Sequence, residues 1–112
     1  MKRQVITMQK SKNLSIDEAF SNFIKKSKIR NLSDKTLKTY HNHYKVFSEL
    51  IDNTTPIADV TSDTLDDFIV YLREQRKVND VTVNTYLRTL RAFLYYCMDC
   101  GYMKAFKIKM PK

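Results

Sequence analysis

The chain has 112 residues, a formal net charge of +8, 43% hydrophobic and 12% aromatic residues. This length suits one domain with one core and excludes a two-domain enzyme, and the apolar fraction excludes a disordered chain. One glycine and two prolines are too few for the tight turns of an all-β fold. The longest apolar run, 92–98, is far shorter than the roughly 18 residues of a membrane span, and no apolar stretch follows the basic start. We therefore expect a soluble, cytoplasmic protein.

The positive charge is concentrated at both ends and in one internal stretch. Residues 1–14 and 103–112 each contain four bases and no acid. Residues 25–45 contain seven bases and one acid, whereas residues 59–67 contain four acids and no base. A basic flank of this kind attracts a polyanion such as DNA, although charge runs are also common on solvated surfaces.

The first half of the chain predicts two helices after a flexible basic arm over residues 1–13, which lack periodicity. Ser15 and Glu18 have the spacing of a capping box, which begins a first helix that ends near residue 30. Ser33 is the expected N-cap of a second helix. Its apolar stripe repeats every three or four residues and consists of Leu37, Tyr40, Tyr44, Phe47 and Ile51.

The second half predicts two further helices. Pro56 breaks the chain, and Ile57 and Val60 are expected to anchor the loop to the core. Thr61 or Ser62 caps the third helix, and Asp80 or Val81 precedes the fourth, which runs to about residue 100. Gly101 is a natural left-handed residue after a helix end. The prediction is an all-α four-helix bundle with flexible basic N- and C-terminal tails.

No catalytic, metal or cofactor site is predicted. Cys97 and Cys100 form a C-x-x-C at a helix C-terminus, where the helix dipole disfavours thiolate. A zinc site needs about four ligands, and His41 and His43 lie on different faces of another helix. We interpret both cysteines as core residues of a reduced protein.

Two polar strips are the candidate functional surfaces. When successive residues are placed about 100° apart around a helix axis, each strip follows one side of its helix. The fourth-helix strip consists of Asn84, Arg88, Arg91 and Tyr95, and the second-helix strip of Lys35, Lys38, Asn42 and Lys45. Lysine binds phosphates, and Arg and Asn bind both phosphates and base edges. We expect both strips to face the same DNA groove.

At these residues the chain resembles the N-terminal SAM-like, or core-binding, domain of phage-integrase-type tyrosine recombinases. Ser33, Thr36 and Tyr40 match the second-helix pattern S-x-x-T-x-x-x-Y. The most specific segment is VTVNTYLRTLRAFLYYCMDCGYM, and the matching stretches together cover about residues 14–103.

The resemblance implies a DNA-binding domain over residues 14–103 and, over residues 104–112, the start of a linker to an absent catalytic domain. That domain of the same parent chain would close the other side of a clamp around core-type sites, during integration or excision of a mobile element. Double-stranded DNA and other recombinase protomers in a tetramer are the implied partners. The DNA contacts that it implies are Thr36, Lys38, Asn84, Arg88 and Arg91, with Thr82 as a weaker candidate.

The chain departs from the family pattern in two respects. The catalytic Arg, His-x-x-Arg and Tyr set of these recombinases belongs to the other domain, so we predict that this chain alone is not an enzyme and that none of its tyrosines is the nucleophile. Thr85 stands where a basic residue is frequent. Two alternatives remain open, namely a free-standing helix-turn-helix regulator and a protein-interaction bundle that docks through its acidic third helix.

Overall fold

A computed structural model describes residues 14–111 and contains four α-helices. They are α1 (Ile16–Ile29), α2 (Asp34–Leu50), α3 (Ser62–Glu74) and α4 (Asp80–Asp99), with a 3-10 turn at Ile57–Asp59. The predicted all-α four-helix fold is confirmed, and the predicted arm over residues 1–13 lies outside the described residues. Between residues 14 and 111, no helix combines the length and the apolar character that a membrane crossing requires.

Side-chain caps set the helix starts. Ser15 Oγ accepts a hydrogen bond from the Glu18 amide at 3.1 Å, and the Ser15 amide donates to Glu18 Oε1 at 3.0 Å, which confirms the capping box. Ser33 caps α2, as predicted. The fourth helix begins earlier than expected, because Asn79 Oδ1 accepts the Thr82 amide at 2.9 Å and makes Asn79 the N-cap.

Aromatic side chains of α1, α2 and α4 form the centre of the core. Phe20 stacks on Tyr44 with ring centroids 3.9 Å apart, and its edge meets Phe93 at 5.4 Å. The buried Tyr44 hydroxyl donates to Asp17 Oδ1 at 3.0 Å, and burial, together with this carboxylate, raises the pKa of Tyr44. These contacts hold α1 against both α2 and α4.

The α2–α3 loop is anchored to the core, as the sequence predicted, and also to the start of α1. Ile57 and Val60 are buried. The Ile57 amide donates to the Leu14 carbonyl at 2.9 Å, and the Ile16 amide donates to Thr55 at 2.8 Å. Backbone and apolar contacts therefore both connect this loop to α1.

The C-terminal segment packs on the helices and differs in this respect from the expected flexible tail. Gly101, at φ 78°, follows the end of α4 as predicted. Beyond it, Met103 and Ile108 are only 7% and 6% exposed, and the Ile108 amide donates to Tyr95 Oη at 3.0 Å. The apolar residues recur at short intervals among the lysines of this segment, so one side of it can be buried while the charges remain in water.

The two cysteines have different environments. Cys97 is fully buried in the core, as predicted, and burial raises the pKa of its thiol to about 12. Cys100 is exposed, so the interpretation of both cysteines as core residues was wrong for Cys100. It is the C-cap of α4, where the helix leaves the core.

Candidate nucleic-acid interface

Helices α2 and α4, which contain all ten candidate residues, pack against each other in opposite directions. Near the start of α2, Tyr40 lines one cleft together with Ala92 and Tyr96 from the second half of α4. One turn later, His43 contacts Tyr86 and Thr89 from the first half of α4. Increasing residue number along α2 therefore corresponds to decreasing number along α4.

The contact of His43 with Thr89 marks the line along which the two helices meet. His43 Nδ1 lies 2.7 Å from Thr89 Oγ1, and the His43 ring centroid lies 4.6 Å from that of Tyr86. Thr89 is buried and His43 is half-buried. Burial lowers the pKa of His43, so the neutral imidazole is favoured at this contact.

One side of this line is occupied by α1 and the core. Phe20 of α1 meets His41 edge-on at 5.4 Å and stacks on Tyr44. Counted at about 100° per residue, His41 and Tyr44 lie on one side of His43, and Lys35, Thr39 and Asn42 lie on the other. The side of α2 that bears Lys35 and Asn42 is therefore turned away from the core and is exposed.

The corresponding side of α4 bears Thr85 and Arg88. They lie about 40° and 100° from Thr89 around the helix axis. Because α2 and α4 are antiparallel, these residues face the same side as Lys35, Thr39 and Asn42. We call this surface the α2–α4 face and define it as Lys35, Thr39, Asn42, Thr85 and Arg88.

Three further candidates, Lys38, Lys45 and Arg91, lie on the outer flanks of this face rather than on one common groove. Lys38 and Lys45 lie about 140° and 160° from His43, and Arg91 lies about 160° from Thr89. These side chains are exposed but diverge, since each points away from the opposite helix. The two predicted strips thus form one broad convex surface with Lys35, Asn42 and Arg88 nearest its middle.

Tyr95 and Asn84 are partly withdrawn from solvent. Tyr95 Oη accepts the Ile108 amide, and the Arg91 guanidinium carbon lies 5.6 Å from the Tyr95 ring centroid. Asn84 Oδ1 is buried, and none of the hydrogen bonds within residues 14–111 reaches it. Tyr95 accordingly connects α4 to the C-terminal segment.

Thr36 and Thr82 lie at the first turns of the two helices. Around the helix axes, Thr36 lies about 20° from His43, and Thr82 lies about 20° from Thr89. Each threonine therefore points towards the opposite helix. The Thr36 amide is capped by Ser33 at 3.2 Å, and the Thr82 amide is capped by Asn79. Because the helices are antiparallel, the two threonines are at opposite ends of the α2–α4 face.

Sequence reasoning missed His43 and Thr89 as the centre of this arrangement. Thr39 and Thr85 belong to the face but were not among the predicted contacts, and their hydroxyls donate within their own helices, to Lys35 and Val81 carbonyls at 3.0 Å. A helical period shows that such residues border an apolar stripe. It does not show which helix lies opposite.

The α2–α4 face is cationic. The sequence has no acid between Lys35 and Ser48 or between Val81 and Met98. Within the described part of the chain, the ion pairs are Arg73–Asp80 and Arg76–Glu49, and neither includes a residue of this face. Lys35 and Arg88 therefore keep their charges available to an external anion.

Comparison with known proteins gives one family. The family model described as phage integrase SAM-like domain matches residues 15–110, which include all four helices and most of the C-terminal segment. Neither the curated proteins nor the solved structures contain a match to the chain.

Proposed function

The chain belongs to the phage integrase SAM-like domain family, and from this premise we propose that it binds double-stranded DNA through the α2–α4 face. In this proposal it is the core-binding domain of a tyrosine recombinase of a mobile element. It grips core-type sites for integration or excision, together with other protomers. A catalytic domain of the same parent chain closes the clamp and cleaves the strand.

The proposal is based on the α2–α4 face, which bears cationic and amide side chains. The two packed helices leave this face exposed on the side away from the core. A major groove about 12 Å wide admits one helix, and a second helix alongside can contact the flanking phosphates. Lys35 and Arg88 suit phosphate oxygens, whereas Asn42 can also form paired hydrogen bonds with an adenine edge.

The divergence of the flanks adds a geometric element to this proposal. Since Lys38 and Arg91 point to opposite sides of the α2–α4 face, a rod-like polyanion lying on the middle of the face would leave each flank near a different phosphate strand. Their long side chains can reach strands that lie beside the face. In this arrangement the flanks add charge attraction, and the middle of the face sets the position.

A salt-dependent titration with duplex DNA tests the proposal. We expect affinity in the micromolar range or weaker at physiological salt, and a logarithmic salt slope of about −0.9 for each phosphate contacted. In an amide NMR titration, shifts should concentrate on α2 and α4. Absence of binding at low salt would contradict the proposal, and shifts confined to α3 would favour a protein-interaction bundle instead.

A further inference from the structure

A cleft opens where α1 ends, α2 begins and α4 ends. Its volume is about 590 Å³. All three helices contribute to its lining, which includes aromatic, cationic and acidic side chains, among them Phe23, Lys26, Arg30, Tyr40, Tyr96 and Asp99.

Two cations of α1 lie in this cleft, and two others do not. Lys26 and Arg30 are four residues apart and so lie on one side of the helix, and both line the cleft. The chain turns sharply after Arg30, at Asn31 with φ 64°, so α1 ends with these two side chains at the opening. Lys25 and Lys28 are exposed on the outer side of the same helix and do not line the cleft.

The floor of the cleft is aromatic. Tyr40 stacks on Phe23 with centroids 5.2 Å apart, and Phe23 meets Tyr96 at 5.6 Å. No hydrogen bond within residues 14–111 uses the Tyr40 hydroxyl, which leaves it able to donate to an external acceptor. Burial raises the pKa of Tyr96, so its hydroxyl remains neutral. Aromatic surface with a hydroxyl and two cations suits a sugar next to its phosphate.

The cleft adjoins the α2–α4 face. Ala92 lines the cleft and follows Arg88 by one helical turn, on the same side of α4. Tyr40 lines it from α2, about 60° from His43 on the side of α1. Asp99 is the one carboxylate in the lining, against the two cations Lys26 and Arg30. A polyanion that lies along the face therefore meets further positive charge at the cleft.

We propose that this cleft binds the sugar–phosphate backbone of duplex DNA immediately beyond the tract that the α2–α4 face contacts. Lys26 and Arg30 contact phosphates, and the Tyr40 hydroxyl donates to a phosphate oxygen at the aromatic floor. The inference rests on the proposed DNA binding and extends it to α1. It lengthens the DNA footprint of the domain towards the carboxyl end of α4.

Two double variants with equal loss of charge test this assignment. Lys26→Ala with Arg30→Ala removes the cleft cations, and Lys25→Ala with Lys28→Ala removes two cations of the same helix outside the cleft. On a duplex of about 20 base pairs, the cleft variant should reduce the logarithmic salt slope by about 2, as expected for two lost phosphate contacts. The outer variant should keep nearly the wild-type slope. Thermal melts of both variants confirm that the fold is retained.

A further measurement sharpens the assignment. Tyr40→Phe, which removes only the hydroxyl, should weaken binding to the same duplex and leave the salt slope unchanged.

The outcomes separate this inference from the proposed function. If both double variants lower the slope equally, the effect is one of net charge and the cleft assignment is overturned, while DNA binding stands. An unchanged slope in the cleft variant likewise overturns it. If the wild-type protein does not bind the duplex at low salt, the proposed function and this inference fail together.

Discussion

Arg88 and Arg91 are three residues apart on α4, but their environments differ. Arg88 lies on the exposed α2–α4 face, about 100° from the contact with α2. Arg91 lies on the outer flank, with its guanidinium carbon 5.6 Å from the centroid of the Tyr95 ring. Arg88 is therefore at the centre of the proposed DNA surface, and Arg91 is at its edge.

Replacement of Arg88 by Ala should weaken DNA binding more than replacement of Arg91 by Ala. A phosphate contact by Arg88 predicts a decrease of about 1 in the logarithmic salt slope, and a base contact predicts a loss of about 1–3 kcal/mol. Fluorescence anisotropy with labelled duplex at several salt concentrations measures both. A larger effect from Arg91→Ala would show that the flank, and not the middle of the face, meets the DNA.

Leu90, next to Arg91 in sequence, has a purely structural role. Its side chain is 1% exposed. Leu90→Ala should lower the free energy of unfolding by about 2–5 kcal/mol, because it removes buried methyl groups and leaves a cavity. Urea denaturation measures this, with Leu50→Ala as the control, since Leu50 is 37% exposed. Equal effects of the two substitutions would contradict the observed orientation of α4.

At the scale of elements, the α2–α4 pairing depends on a polar contact as well as on apolar packing. His43 and Thr89 meet at 2.7 Å between the two helices, and the Tyr86 ring lies beside the imidazole. Burial lowers the pKa of His43, which means that the folded protein binds a proton less readily than the unfolded chain does. This difference couples the pairing of the two helices to pH.

Acidification should therefore destabilise the protein through His43. Above the unfolded pKa of about 6.5, His43 is neutral in both states and its contribution to stability is fully present. As the pH falls below that value, the unfolded chain takes up the proton first and the free energy of unfolding decreases, until the pH passes the lower folded pKa. Melting temperatures measured from pH 7.5 to pH 5 should show this decline.

A pair of histidine variants isolates the effect. His43→Gln retains a side chain that can hydrogen-bond Thr89 and should flatten the decline between pH 7 and pH 5. His41→Gln changes the other histidine, which meets only the edge contact from Phe20 among the described aromatic pairs. A decline that is unchanged in His43→Gln would show that another group is responsible.

At the scale of the whole molecule, the C-terminal segment packs against α3 and α4. Ile108 lies in a cleft that also contains Leu65 and Ile69 of α3 and Leu87 of α4. The segment thereby bridges α3 and α4 and returns along α4 to Tyr95. Residues that the sequence assigned to a linker are thus part of the packed structure.

Ile108→Ala should consequently destabilise the domain. We expect the free energy of unfolding to fall by about 2–5 kcal/mol, because Ile108 is 6% exposed and its truncation leaves a cavity. Ile29→Ala is the matched control, because Ile29 is 69% exposed at the end of α1. Chemical denaturation of both variants decides the matter, and indistinguishable midpoints would show that the segment does not hold the bundle together.

The charge distribution of the whole molecule supports the proposed DNA binding. None of the five residues of the α2–α4 face is acidic, whereas α3 exposes Asp63, Asp66 and Asp67. For the proposed DNA binding, attraction by the first surface and repulsion by the second would set the preferred orientation before contact. The acidic third helix is consistent with this orienting effect.

Local signals in the sequence determined the helices and most of their boundaries. Ser15 with Glu18, Ser33 and Gly101 act through hydrogen bonds and backbone angles that involve only near neighbours in sequence. The apolar stripe of α2 likewise predicted which of its side chains face inwards. The start of α4 was predicted wrongly because Asn79, Asp80 and Thr82 offer competing caps within a few residues.

Only the tertiary structure decided how the polar strips relate to one another. The helical period places Lys38 or Arg91 on a side of its own helix, but the partner helix and its direction depend on contacts distant in sequence, such as His43 with Thr89. These contacts split the predicted strips into a central face and two diverging flanks. The burial of Ile108 depends on tertiary contacts in the same way, because a short apolar segment carries no local signal for the surface that will cover it.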